Sequence, residues 1–239
     1  MSGGRRAGIL RAMSLSVIVP VFNEKATLAE TVRRVRATGL ASEILVVDDG
    51  STDGTRSVIA DLEARGEIRA IYHPKNQGKG AAVRTGIRAA TGEYLLIQDA
   101  DLEYNPQDIP HLLRPIQDGV ADAVYGSRFL GAPRRVTMFW HLLANRLLTL
   151  ATNLLFNSIL SDMETGYKAF RAGIVRAIPL RANRFDFEPE ITAKLLKRGA
   201  RVFEVPITFN PREYSEGKKI GLADAVAAVW ALIKYRIVD

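Results

Sequence analysis

The sequence predicts an α/β protein: a mostly parallel central sheet with helices on both faces. Three observations predict it. Short β-rich runs and helical stretches alternate four times before residue 100, the pattern of successive βαβ units. Three of those runs end in polar clusters, Asn23-Glu24, Asp48-Asp49 and Asp99 to Glu103, and in parallel sheets ligands bind beyond the carboxyl ends of the strands. The 239 residues show no linker, repeat or shift of composition, so one domain with a sizeable core is expected.

Residues 1–13 carry Arg5, Arg6 and Arg11 around a very short apolar stretch, unlike a secretory signal, and read as a disordered basic arm. The folded domain is expected over residues 14–239. Its first strand is the run 15–22, followed by an amphipathic helical pattern over 27–38. A second strand spans 43–47 and stops at Asp48-Asp49-Gly50-Ser51; a helix over 55–65 leads to a third strand at 68–72. Gly78-Lys-Gly80 reads as a glycine turn that opens a helix over 81–90, the alternative being that its amides and Lys79 face a ligand. It is not a dinucleotide fingerprint, because Val83 replaces the last small residue and the turn follows the third strand, which also disfavours a dehydrogenase.

The next run, Tyr94-Leu-Leu-Ile-Gln98, ends in three acids. If the chain stays extended there, Asp99, Asp101 and Glu103 share a face. Like charges so close call for a cation, and a hard ion that takes oxygen ligands, Mg2+ or Mn2+, fits them. The same residues would also serve as an acidic surface turn capping the next helix. Beyond them, 123–128 reads as a strand ending in Arg128.

Residues 138–156 are apolar and of helical length, but one Arg at a helix centre costs about 2.5–3.5 kcal/mol on membrane insertion, so Arg146 argues against a span. Asn145, Thr149 and Thr152 fall on one helical face. That stripe suits either a ligand with a charged head and an apolar tail or a solvent-facing edge. A polar turn at 162–168 precedes a short strand at 169–171. A helix then runs from Phe185 to about Arg198 with Asp186, Glu188 and Glu190 in its first turn, where acids favour the helix dipole. A strand at 202–209, a long charged loop at 211–219 with the character of a lid, and an apolar helix from 222 to 233 complete the chain.

Cysteine is absent, which excludes disulfides, thiolate metal sites and a cysteine nucleophile. A net charge of +7 points to an anionic partner. The cations are spread along the chain without interleaved aromatics, so nucleic acid is not expected; phosphate and lipid remain.

Taken together, Pro20-Val-Phe-Asn-Glu24, Val47-Asp-Asp-Gly-Ser51, Asp99-Ala-Asp101 and Gly126-Ser-Arg128 resemble inverting family 2 glycosyltransferases of GT-A fold. The segments 162–171 and 212–218 extend the resemblance to polyprenyl-phosphate sugar transferases of the dolichol-phosphate mannose synthase type. The resemblance implies that Pro20, Phe22, Glu24, Val47 and Asp49 hold the nucleotide, and that Asp99, Ala100 and Asp101, helped by Glu103, hold the metal and diphosphate. It implies that Arg128 and Arg146 contact an acceptor phosphate, and that Arg212 and Lys218 close a loop over the diphosphate. Asp186 departs from the pattern, standing where mannose synthases offer Lys, so UDP-glucose joins GDP-mannose as a donor. The implied partners are a nucleotide sugar, a polyprenyl phosphate, a cytoplasmic membrane surface held peripherally, and a possible membrane-protein partner.

A phosphate acceptor needs no base, because its second pKa near 6 leaves it largely anionic at neutral pH. A hydroxyl acceptor would need one, and Asp186, Glu188 and Glu190 are then the candidates. The remaining alternative is a non-catalytic module that binds a nucleotide sugar or lipid, against which the intact Asp99-Ala-Asp101 speaks.

Overall fold

The computed structural model describes residues 14–133, 135, 139–212 and 222–238, with the backbone alone for 222–226. The expected basic arm at 1–13, Lys218 and most of the expected lid lie outside these residues.

The alternation of the first hundred residues produces β1 (Leu15–Val21), α1 (Leu28–Ala37), β2 (Glu43–Asp48), α2 (Thr55–Ala64), β3 (Arg69–Tyr72), α3 (Lys79–Ala89) and β4 (Tyr94–Ile97). These strands pair in parallel in the order β3-β2-β1-β4. Both faces of the sheet are buried. Val17 and Val19 of β1 join one core with Val32, Ile59 and Leu112, while Ile18 joins the other with Val83, Ile87 and Ile191. Alternate side chains of a strand leave on opposite faces, so a run of consecutive apolar residues is what a sheet covered on both sides requires.

The second half departs from simple alternation. α4 (Ile109–Gln117) was not anticipated, because Asn105-Pro106 before it and Pro115 within it are helix-breaking signals. Pro106 in fact opens a short 3-10 turn, capped by the Asn105 side chain, that leads into α4. After β5 (Ala123–Ser127) and α5 (Phe139–Phe156), the chain enters β6 (Lys168–Arg171) from the edge at which β4 and β5 end, so β6 is antiparallel to both. Then follow α6 (Ala172–Arg176), also unanticipated, α7 (Phe187–Lys197), β7 (Val202–Pro206) and α8 (Leu222–Ile237). The finished sheet reads β3-β2-β1-β4-β6-β5-β7. The reversal of β6 brings residues 162–167 to the same edge as the acids that follow β4.

The polar stripe of α5 faces neither solvent nor a ligand. Thr149 and Thr152 are buried, and Asn145 donates to Asp162 Oδ1 at 3.1 Å. A buried carboxylate needs donors, and the stripe supplies one. The apolar side of α5, including Trp140, Leu147 and Leu154, faces outward instead. Among the described residues, no helix is long and apolar enough to cross a membrane.

Candidate active site

The site begins where β4 ends. Ile97 is the last paired residue, and Leu102 adopts a left-handed φ of 64°. Asp99, Asp101 and Glu103 therefore lie on a turn and not on an extended edge, so the shared-face geometry expected of them is corrected: a backbone that reverses does not alternate its side chains. Asp99 Oδ2 accepts from Lys79 Nζ at 2.9 Å, and Lys79 also lies 3.2 Å from Glu188 Oε1. Burial alone would strip the proton from Lys79, but the charges of Asp99 and Glu188 outweigh it and hold the ammonium firmly.

Asp101 and Glu103 face the other cation of the site. The Arg212 guanidinium is bidentate on Glu24 at 3.1 and 3.0 Å and lies 3.3 Å from Asp101 Oδ2. Its backbone N–H donates to Glu103 Oε1 at 2.7 Å. Burial, with the charges of Asp99 and Glu103, pushes the Asp101 carboxyl up to about 7 against the pull of Arg212. Excess negative charge thus accumulates at this turn.

These residues border a cleft of about 540 Å³. Pro20, Phe22, Glu24, Asp49, Ala100 and Arg128, to which the resemblance assigns binding roles, are among its lining residues. Val47 does not line it: the side chain is fully buried with Ile18 and Leu45, because its position in β2 points it into the core. The Asp49 carboxylate is occupied by protein donors, the amides of Gln77 and Gly78 and the His73 ring at 2.7 Å, and so pins the glycine turn to the rim of the cleft.

Arg128 is locked on Asp162 through Nε at 2.6 Å and a terminal nitrogen at 2.7 Å, beneath the Phe209 ring. Arg146, expected beside it, is exposed on α5 with its guanidinium 4.6 Å from the Phe129 centroid, and does not line the cleft. The acids of α7 separate sharply. Asp186 accepts from the Arg184 amide at the helix start. Glu190 is fully buried, paired with Lys194 at 2.7 Å and with the amides of Arg181 and Ala182. Glu188 lines the cleft, and its Oε2 is buried without a hydrogen-bond partner among the described residues.

Sequence reasoning missed Glu164 and Tyr104 and named Lys79 only as a side chain of the glycine turn open to a ligand. The Gly-Lys-Gly turn was the signal for Lys79. Glu164 lay within the resembling segment 162–171 but was not singled out there, and Tyr104 had no signal, since tertiary pairing brings it in. Tyr104 stacks on Tyr167 at 5.0 Å and accepts from the Gly166 amide. A Cβ on Gly166 would stand 2.5 Å from Asp99 Oδ2 and 2.9 Å from Lys79 Nζ, so a glycine here lets this loop close on the β4 turn.

Among the described residues, no group of three or more acidic or imidazole side chains converges as a ready metal cage. Glu103 also lines the cleft, with its Oε1 accepting from the Arg212 amide. Asp99 and Asp101 remain: two oxygen donors with surplus negative charge beside an open cleft. That arrangement fits a hard divalent ion, which binds through one or two carboxylates and takes its other ligands from water and substrate phosphates.

Solved structures share this fold. Glucosyl-3-phosphoglycerate synthase of Mycobacterium tuberculosis, in complex with Mn2+, UDP-glucose and phosphoglyceric acid, superposes with a TM-score of 0.74 at 21% identity over 95% of this chain and 81% of that one. The expectation of a polyprenyl phosphate, a membrane surface and a membrane protein as partners is corrected here. The same fold occurs in that structure with a small phosphorylated acceptor. In this chain both cations assigned to a lipid phosphate pack on Phe129, but Arg146 does not line the cleft and Arg128 is engaged by Asp162.

Among curated relatives, an undecaprenyl-phosphate mannosyltransferase of Micrococcus luteus is 33% identical, over 92% of this chain and 95% of that protein. A dolichol-phosphate mannosyltransferase of Pyrococcus furiosus is 30% identical over 93% of this chain, which spans 64% of that protein's length. The family model "Glycosyl transferase family 2" matches residues 16–178, and with these relatives it shows that the chain belongs to glycosyl transferase family 2.

Proposed function

We propose that this protein transfers a hexose from a nucleotide sugar, with a divalent ion bound at Asp99 and Asp101, to a hydroxyl of a small anionic acceptor. The observation that carries this reading is Glu188 Oε2, a buried carboxylate oxygen without a partner among the described residues, in the cleft that Asp99 and Asp101 border. Pro20 and Phe22 lie on the nucleotide side, and Arg212 and Lys79 supply positive charge for the diphosphate. When bound there, a divalent ion withdraws charge from the departing diphosphate.

Glu188 takes the proton of the acceptor hydroxyl as its oxygen bonds to the anomeric carbon. The bond from that carbon to the diphosphate oxygen breaks, and its electron pair leaves with the nucleoside diphosphate. Attack from the face opposite the leaving group inverts the anomeric centre. Lys79, bonded to Glu188 Oε1, holds the carboxylate in place and leaves Oε2 for the hydroxyl. Asp186 and Glu190 are not the base, since neither lines the cleft: the first accepts from the Arg184 amide ahead of its helix and the second is sealed by Lys194 and two amides.

The test is transfer from UDP-glucose and from GDP-mannose with Mn2+, to a phosphorylated hydroxy acid and separately to a polyprenyl phosphate. Transfer to the hydroxy acid is expected, with Glu188→Gln slower by about 10²–10⁴-fold. Transfer to polyprenyl phosphate alone, at a rate indifferent to Glu188→Gln, would overturn the proposal.

A further inference from the structure

A second carboxyl in the same cleft is left incomplete. Glu164 lines the cleft, and its Oε1 is buried without a hydrogen-bond partner among the described residues. It stands in the loop that β6 carries to this edge, between Asp162, which is locked on Arg128, and Gly166, whose Cα faces Asp99 and Lys79. The nearby ammonium does not serve it: Lys168 Nζ donates to the carbonyl oxygens of Met163 and Thr165. Buried polar atoms in native proteins are nearly always satisfied, so two orphaned oxygens bordering one cleft, on Glu164 and Glu188, mark groups that a ligand supplies.

We infer that Glu164 is a specificity-determining residue of the donor subsite, where its carboxyl hydrogen-bonds a ring hydroxyl of the transferred hexose. The inference rests on the function proposed above and adds to it the side chain that reads the sugar. A phosphate does not suit the position, because Glu188 beside it carries negative charge. A hydroxyl does, since it can both donate and accept. The protonation of Glu164 agrees: burial, reinforced by Glu188, pushes its carboxyl up to about 8. At neutral pH a group in that state already holds its proton and cannot take one from an acceptor. Recognition of the donor is left to Glu164, and base chemistry to Glu188.

The experiment is calorimetric titration of wild type, Glu164→Gln and Glu164→Ala with UDP and UDP-glucose, and with GDP and GDP-mannose, in the presence of Mn2+. The readout is the ratio of nucleotide-hexose affinity to nucleoside-diphosphate affinity, which a merely structural role would not move. Glu164→Ala should lower that ratio roughly 10- to 100-fold, as loss of a buried hydrogen bond to a ligand does. Glu164→Gln, a neutral isostere, should largely preserve it. A nucleotide sugar lacking the hydroxyl that Glu164 reads should bind wild type and Glu164→Ala alike, which closes a double-mutant cycle. Equal weakening of nucleoside diphosphate and nucleotide hexose in Glu164→Ala, or no change in either, overturns the inference while leaving the glycosyl-transfer reading intact. A wild-type protein that binds neither nucleotide hexose removes that reading as well.

Discussion

Asp162 and Glu188 are both carboxylates buried at the carboxyl edge of the sheet, and they differ in how far the protein completes them. Asp162 receives the Arg128 amide, two guanidinium nitrogens of Arg128 and the Asn145 side chain. Among the described residues, Glu188 receives Lys79 on one oxygen and nothing on the other, and Glu164 beside it has one oxygen in the same condition. Satisfying a buried charge fully produces scaffold, and satisfying it by half produces a place for something else. The difference separates residues that hold the cleft open from residues that act in it.

Asp162→Ala should show the largest effect. It strands the buried guanidinium of Arg128 and should destabilise the fold by about 3–5 kcal/mol in urea unfolding. Burial disfavours the ionised form of Asp162, but the charge and hydrogen bonds of Arg128 prevail and hold the carboxyl below its usual range. A carboxyl with a depressed folded pKa contributes stability above its unfolded pKa of about 4, lost as pH falls through the folded value. The penalty of Asp162→Ala should therefore shrink below pH 4. A penalty constant from pH 3 to 7 would show that the pair contributes packing and not charge.

Asp101→Asn comes next. It should leave urea unfolding nearly unchanged while reducing turnover by about 10²–10³-fold, as removal of groups that stabilise a developing charge does. Mn2+ titration followed by electron paramagnetic resonance should show weakened binding in this variant. Undiminished Mn2+ binding would move the ion away from Asp101.

Glu164→Leu tests the incomplete side from the opposite direction. A buried oxygen with no partner costs the fold about 1–3 kcal/mol, so an apolar replacement should raise the unfolding free energy by up to that amount. The folded pKa of Glu164 lies near 8, above the usual 4.5, so its stabilising proton is fully present at low pH and lost as pH rises through 8. The advantage of Glu164→Leu over wild type should therefore be larger at pH 8.5 than at pH 5. Destabilisation by this variant would mean that Glu164 belongs to the scaffold with Asp162.

The smallest effect is expected from Arg146→Ala. Surface substitutions away from buried networks usually stay within about 0.5 kcal/mol, so transfer to the hydroxy acid should remain within about threefold of wild type. A hundredfold loss would bring Arg146 into the site despite its position on the outer side of α5.

The alternation of strands and helices, the burial of both sheet faces and the abrupt acids after Ile97 were legible because they are local: a period or a spacing reports them without knowledge of what lies opposite. So were Glu24, Asp99 and Asp101 as polar residues just past their strands, whereas Pro20, within β1, and Phe22, just after it, were reached only through the family resemblance. Tertiary structure decided the rest. Val47 sits in a segment that resembles a nucleotide site, yet the pleat of β2 sends it into the core. Glu188 and Glu190 are two residues apart on one helix; Lys194 seals one, and the cleft receives the other. Glu164 reaches the site because β6 runs antiparallel between β4 and β5, and that reversal is set by pairing between strands more than 40 residues apart in the chain. Which carboxylates are completed by the protein and which are left for a ligand is a property of three-dimensional neighbours, because a hydrogen bond is satisfied by proximity in space and not by order along the chain.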